Sequence, residues 1–281
     1  MRFRSVLLFA VILASKCAAT AADNPDESKA IREIRNVGGI PCRIGAGKGS
    51  DDVTTADDVT LIEFPSGKKF REKDLHLLKP FKNLTILSLT NTRMNDNGLK
   101  ELQGLDSLTT LMLDKTEVTG TGLKDLKDLK NLTKLELSDS LVTDAGLLEL
   151  KELKHLQRLA ICNDKITDAG LKGLRELKNL EALFLRLTPI TNAGLFELTE
   201  LKQLRHLVLS DTKITDAGLP TLTALKNLTW LDVSHTQISD VGLKEIGKLK
   251  NLTEFNVKGT RVTAAGLSEL KKSLPNVNIA R

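Results

Sequence analysis

The sequence predicts an α/β solenoid built from one short repeating unit, and three observations predict it. Glycine recurs every 24 residues, without insertion, from Gly98 to Gly266, and a fixed period of this size is typical of solenoid proteins. Each interval carries a short run of alternating apolar residues, such as LTILSL from Leu84, which indicates a strand. Leucine then follows at every third position, as at Leu147 and Leu150, which indicates one apolar stripe on a short helix. The unit is therefore strand, turn and helix.

Eight such units fill residues 84–275. Residues 23–83 are expected to form an N-terminal cap and residues 276–281 a C-terminal cap strand, because the terminal units of a solenoid expose a face of the core. Within the first cap, SKAIREIRNV at 28–37 predicts an amphipathic helix with Ile31 and Ile34 facing inward.

The remaining cap elements are predicted from local patterns. Strands are expected at 40–44 and 59–64, and an irregular first helix at 74–81. Pro275 should end the last helix, and Val277–Ile279 should supply the closing strand.

The first 22 residues have the pattern of a secretory signal peptide. Arg2 and Arg4 precede an apolar run at 5–14, which is too short to span a bilayer, and small residues follow at 19–21. The protein is therefore expected to be exported, to the periplasm or beyond the cell, with no membrane span in the mature chain. Removing this segment takes away three basic residues and no acid, which leaves 38 basic against 36 acidic residues and a net charge of +2. This near-neutral charge disfavours a nucleic-acid partner.

The repeats resemble those of the leucine-rich repeat family. The shared pattern is LxxLxLxxT followed by (I/V)TDAGLxxLxxLKN, and it covers residues 84–275. The resemblance implies a leucine-rich-repeat solenoid, with a curved parallel sheet on the concave face and short helices on the convex face. The TDAGL variant is similar to repeats of secreted planctomycete-type bacterial proteins, and also to repeats carried by F-box proteins.

One turn position departs from the family pattern, which usually has asparagine there. We call its eight occupants the turn ladder, and expect their hydroxyl groups to satisfy backbone groups of the turn. They are Thr92, Thr116, Ser140, Asp164, Thr188, Thr212, Thr236 and Thr260.

The heptad KITDAGL at 165–171 and 213–219 combines a hydroxyl, a carboxylate and a glycine at a helix start, but its six in-phase relatives favour architecture over a site. The threonine is expected to cap the helix, the aspartate to complement its dipole, and the glycine to permit close approach of the next coil. The four NLT sequons are likewise interpreted as repeat residues; their asparagines are Asn83, Asn131, Asn227 and Asn251.

Cys42 and Cys162 remain after the predicted cleavage, which removes Cys17. Because neighbouring strands lie about 4.8 Å apart, several repeats should hold the two thiols too far apart to bond, so we predict that both are free. No spacing of His and Cys residues indicates a metal site, and no phosphate-loop motif indicates a cofactor.

Residues that are not repeated should carry the function. Alternation places one set of side chains on the open face of the sheet, and its middle and C-terminal part combines large apolar groups with arginine, which binding hot spots favour. The alternative is that loops or side chains cover part of this face. The candidate binding residues are Arg158, Phe184, Arg186, Leu187, His206, Val208, Trp230, Asp232 and His235.

An enzyme is the less favoured interpretation. Asp211 and His235 fall in one row on adjacent strands, with Ser210 and Ser234 one position away, which supplies the residue types of a Ser-His-Asp triad. No nucleophile elbow or oxyanion hole accompanies them, so a surface pair is expected.

The sequence therefore predicts an exported, non-enzymatic protein that recognises a protein, or alternatively a glycan, through its concave face. A second hypothesis is a structural part of a cell-envelope or extracellular assembly, and a third, from the resemblance, is substrate recognition of the F-box type.

Overall fold

The computed structural model describes residues 28–42, 55, 57, 59–64 and 70–281. Its strands form one sheet of eleven in sequence order, in which β1 is antiparallel to β2 and every later pair is parallel. The strands are β1 (Ile40–Cys42), β2 (Leu61–Glu63), β3 (Ile86–Ser88), β4 (Thr110–Met112), β5 (Lys134–Glu136), β6 (Arg158–Ala160), β7 (Ala182–Phe184), β8 (His206–Val208), β9 (Trp230–Asp232), β10 (Glu254–Asn256) and β11 (Asn278–Ala280).

Short helices follow the strands, some α-helical and some 3₁₀. The α-helices are α1 (Lys29–Asn36), α2 (Asp96–Leu99), α3 (Asp144–Leu148), α4 (Asn192–Leu195), α5 (Leu219–Leu222), α6 (Asp240–Ile246) and α7 (Ala264–Ser273). The 3₁₀ segments are Glu72–Leu78, Lys100–Leu102, Leu123–Leu126, Glu149–Glu152, Gly170–Leu174, Phe196–Leu198 and Asp216–Gly218. None of the helices in these ranges is long and apolar enough to cross a membrane.

The repeat register predicted from the sequence is confirmed. Residues 24 positions apart are partners on adjacent strands, as Ala182 is with His206 and Phe184 with Val208. From β2 to β10 the middle residue of each strand points into one continuous leucine-rich core, to which Leu183 and Leu207 belong with no exposed surface. The residues on either side of it point to the opposite face, which we call the outer sheet face.

The caps match the predictions with small shifts of their ends. Helix α1 buries Ile31 and Ile34 fully, as expected. The irregular first helix is the 3₁₀ segment Glu72–Leu78, and the closing strand β11 begins one residue later than predicted. The predicted extension of the first strand to residue 44 lies outside the described residues.

The turn ladder acts as predicted at six of its eight positions. The threonines at these positions donate from Oγ1 to the backbone carbonyl three residues earlier, as Thr188 does to Leu185 at 2.6 Å and Thr212 to Leu209 at 2.6 Å. Ser140 instead donates to the Leu113 carbonyl of the preceding repeat, at 2.8 Å. Asp164 has no hydroxyl, and the prediction of an uninterrupted hydroxyl ladder is wrong at this position.

The aspartate of the TDAG turn joins adjacent repeats. Asp168 accepts hydrogen bonds from the backbone N–H and the hydroxyl of Thr191 in the next repeat. The predicted cap is also present, since Thr191 accepts a hydrogen bond from the Ala193 N–H at the start of α4. A Cβ added at Gly194 would lie 2.3 Å from the Asp168 carboxylate. The glycine therefore makes room for the preceding repeat, and the prediction that it faces the next coil is wrong.

The NLT asparagines have a structural role, as interpreted. Asn131 Nδ2 donates to the Asp106 carbonyl and Asn227 Nδ2 to the Lys202 carbonyl, each at 2.8 Å. Asn179, which is not in a sequon, makes the equivalent bond to Lys154. The asparagine side chain therefore bonds the preceding repeat whether or not the residues after it complete a sequon.

The prediction of two free thiols is confirmed for Cys162 and wrong for Cys42. Cys162 is free, whereas Cys42 is disulfide-bonded. The partner of Cys42 lies outside the described residues. The prediction considered only the two cysteines that remain after the predicted cleavage, so it did not weigh this bond.

Candidate binding face

Five apolar side chains on the outer sheet face pack into a cluster of their own, separate from the main core. We call it the outer cluster; its members are Ala160, Ala182, Phe184, Val208 and Trp230, and Cys162 packs beside it. The sequence predicted that Phe184, Val208 and Trp230 lie open to solvent, but only 3%, 7% and 8% of their surfaces are exposed. That prediction is wrong, and the alternative that side chains cover this face is correct for these residues.

Strand spacing explains the burial. Large side chains at the same face of neighbouring strands stand close enough to cover one another. The rings of Phe184 and Trp230 meet edge to face with centroids 6.2 Å apart, and the ring of His206 meets Trp230 in the same manner at 5.7 Å. Such geometry is favourable between aromatic rings. The cluster therefore forms a fixed platform.

Arg158 covers one side of this platform. The carbon of its guanidinium lies 4.3 Å from the centre of the Phe184 ring, a cation–π contact. Its Nε also lies 3.6 Å from a carboxylate oxygen of Glu136 on the preceding strand. The arginine is thus held between an acid and an aromatic ring.

Two polar groups of the platform are shielded from water. Trp230 Nε1 is buried and has no hydrogen-bond partner among the described residues. Burial lowers the pKa of His206, and the neighbouring Arg158 and Arg205 lower it further. His206 is therefore neutral at physiological pH and adds no positive charge to the face.

Arg186 and Leu187 form an exposed rim beside the platform. Arg186 Nε bonds Asp211 Oδ2 at 3.0 Å, and 49% of its side chain is exposed. Leu187 is 45% exposed and has a φ angle of 58°. A bulky residue rarely adopts this left-handed conformation. The equivalent residues of other repeats have the same conformation; some of them, such as Asn91 and Gly259, tolerate it better, whereas others, such as Lys115, do not.

The predicted triad residues do not assemble. Asp211 is engaged by Arg186, and no hydrogen bond joins it to His235 within the described part of the chain. The exposed His235 instead occupies the space above Gly259, where an added Cβ would lie 2.4 Å from its Nδ1. Ser210 and Ser234 are buried. The arrangement has no nucleophile–base contact of the kind that acyl transfer requires.

Asp232 is a structural member of the face. Its carboxylate accepts hydrogen bonds from the Ser234 N–H at 2.8 Å and from Asn256 Nδ2 at 2.9 Å. Of the nine predicted binding residues, six are exposed or half-buried: Arg158, Arg186, Leu187, His206, Asp232 and His235.

Two acids next to the platform were missed from the sequence. Burial and the charge of Glu136 raise the pKa of Asp114 to about 6, although a hydrogen bond from the Ser138 N–H lowers it in part. Burial also raises the pKa of Asp164 to about 7. The one available clue was that Asp164 is the only ionisable member of the turn ladder. No group of three or more His, Cys, Asp or Glu side chains among the described residues could hold a metal ion.

The sequence matches family models, and the structure is similar to solved protein structures. Two family models described as leucine rich repeat match residues 202–262 and 82–102. Internalin C2 of Listeria monocytogenes is similar in structure, with a TM-score of 0.55 and 27% identity, over 75% of this chain and 84% of that one. A leucine-rich-repeat protein of Leptospira interrogans has a TM-score of 0.52 and 24% identity, and the match spans 74% of this chain but only 57% of that one. No curated protein matches the sequence.

Proposed function

This chain is a leucine-rich-repeat protein, and on that premise we propose that it binds a protein partner through the concave, outer face of its sheet, with the contact centred on Arg186 and Leu187. The fold itself suggests a protein–protein interaction module. The observation that carries the proposal is the rim, where an exposed leucine is kept in a backbone conformation that disfavours it.

The outer cluster supports the rim mechanically. Phe184, Trp230 and Arg158 are buried or held by contacts, so little side-chain freedom would be lost when a partner docks beside them. Such preorganisation, with aromatic and arginine side chains next to an exposed apolar group, is typical of binding hot spots.

A protein is favoured over a glycan as the partner. Leu187 offers apolar surface, and Arg186 can donate hydrogen bonds only to acceptor groups of a partner. The aromatic rings of Phe184 and Trp230 are too deeply buried to stack on a sugar. The face therefore suits an apolar side chain flanked by a carboxylate.

We propose that the protein acts outside the cytoplasm and without catalysis of its own. Export rests on the signal-peptide pattern of residues 1–22. The non-catalytic role rests on the family, whose members are typically binding scaffolds, and on the separation of Asp211 from the neighbouring histidine.

A second candidate function is a structural part of a larger assembly, contacted through the helical side. Two exposed apolar residues favour it: Phe196 is 63% and Val241 71% exposed. They lie on separate helical segments, two repeats apart.

One pair of variants distinguishes the two candidate functions. Leu187→Asn should keep the fold and gain up to about 1 kcal/mol of stability, because asparagine accepts the left-handed conformation more readily. It should weaken partner binding at least about tenfold, equivalent to about 1.4 kcal/mol, by removing the apolar contact. Affinity capture from the native envelope fraction, quantified by mass spectrometry, measures the loss.

Phe196→Ser is the matched control on the helical side. It should leave the captured partners unchanged. If Phe196→Ser abolishes capture while Leu187→Asn does not, the structural alternative is correct and the concave proposal is wrong.

A further inference from the structure

Asp164 is the one turn-ladder residue that cannot form the ladder's hydrogen bond in its ordinary charge state. Six threonines in the ladder donate a hydroxyl hydrogen to the carbonyl three residues earlier. An ionised carboxylate has no hydrogen to donate, whereas a protonated carboxyl has one. Only the protonated form of Asp164 can therefore reproduce the bond, to the carbonyl of Ile161.

The burial of Asp164 makes the charged form costly. The residue is 4% exposed, and neither carboxyl oxygen has a hydrogen-bond partner among the residues described. A buried carboxylate without partners is disfavoured against its neutral form.

The surroundings of Asp164 do not compensate the charge. Its ladder neighbours Ser140 and Thr188 are neutral. The charged groups that act on it are the acids Asp139 and Asp114, both of which raise its pKa. The backbone N–H groups of Val142 and Ser140 in the preceding repeat lower its pKa in part, although neither has the geometry of a hydrogen bond to the carboxylate. Cys162, two residues earlier, has its own pKa raised by burial and by Asp164. Lys165 follows in sequence but is exposed.

We propose that Asp164 is a proton-dependent latch in the fourth repeat, closed when its carboxyl donates to the Ile161 carbonyl and opened when the carboxyl ionises. The latch lies directly after Cys162 and Asn163, next to the outer cluster. Opening it would loosen the turn that fixes this part of the candidate binding face.

The direction of the pH effect follows from the raised pKa. An unfolded aspartate titrates near 4, whereas folded Asp164 titrates at about 7. The stability that the closed latch contributes is complete below about pH 4 and decreases as pH rises towards 7. Above that pH the stability does not change further through this group. Over this window the folding equilibrium constant of the natural protein should fall by up to about a thousandfold, since the two pKa values differ by about three units.

The test compares the natural protein with Asp164→Thr and Asp164→Asn. Threonine restores the ladder residue, and asparagine is a non-titrating isostere that can still donate a hydrogen bond. Urea unfolding of all three is followed at intervals from pH 4 to pH 8. Asp114 titrates in an overlapping range and its charge acts on Asp164, so the NMR titration of the Asp164 carboxyl accompanies the stability curves and assigns the effect to this residue.

We expect the natural protein to lose stability relative to both variants as pH rises, and the difference to level off above about pH 7. Amide hydrogen exchange gives a local readout: the protection of the Asn163 N–H, which bonds the Arg186 carbonyl at 2.8 Å, should fall with pH relative to Asp164→Thr. Parallel stability curves for the three proteins, or an Asp164 carboxyl that titrates near 4 by NMR, would overturn the proposal.

Discussion

Replacing Phe184 with alanine should lower the free energy of unfolding by about 3 kcal/mol. The side chain is 3% exposed and contacts Trp230 and Arg158, so its removal leaves a cavity in the outer cluster. Trp230 is the only tryptophan of the chain, and its fluorescence reports directly on this cluster. We expect a red-shifted emission in the folded variant, because water reaches the indole, together with a lower urea midpoint.

Phe196→Ala is the matched control. Its ring is 63% exposed and makes a long cation–π contact with the guanidinium of Arg175, 6.0 Å from the ring centre. The change should cost no more than about 1 kcal/mol. Equal losses for the two variants would mean that the outer cluster is not a packed unit.

Replacing Gly146 with alanine should cost about 3 kcal/mol, because the added methyl group meets backbone rather than a side chain. An added Cβ would lie 2.3 Å from the Thr119 carbonyl oxygen and 2.7 Å from the Cα of Gly120 in the preceding repeat. Backbone atoms of a packed coil cannot move aside without separating the two repeats. Urea unfolding measures the loss.

The control for this change is Gly247→Ala, since the nearest atom there is Ser273 Cβ at 3.2 Å. A small local shift relieves that contact, so the expected change lies within about 0.5 kcal/mol. If Gly146→Ala is as stable as Gly247→Ala, the close approach of adjacent repeats does not limit the residue at this position.

Periodicity was enough to predict the fold and which residues lie side by side on adjacent strands of the sheet. A period of 24 residues fixes which residues are partners on adjacent strands, and the pairing of Phe184 with Val208 confirms it. The same pattern gives the direction of a side chain but not its exposed fraction. Phe184 and Trp230 point outward as predicted, yet they are buried because each covers the other.

The register of the strands alone could not predict the contacts of long and charged side chains. Asp211 and His235 were expected to pair, but the longer side chain of Arg186 reaches Asp211 first. Asp164 was grouped with the hydroxyl residues because it shares their position. Its burial, and so its raised pKa, depends on the packing of neighbouring repeats that only the structure provides.

The central claim is that repeated residues build the solenoid and that a partner binds the unrepeated residues of the outer sheet face. Photo-crosslinking tests it most directly, with benzoylphenylalanine placed at Lys134 on the outer face or at Lys151 on the helical side of the same repeat. Both positions are exposed, and neither removes Arg186 or Leu187. After irradiation in the native envelope fraction, we predict partner adducts from position 134 and none from position 151. Adducts from position 151 alone, or equally from both, would contradict the claim.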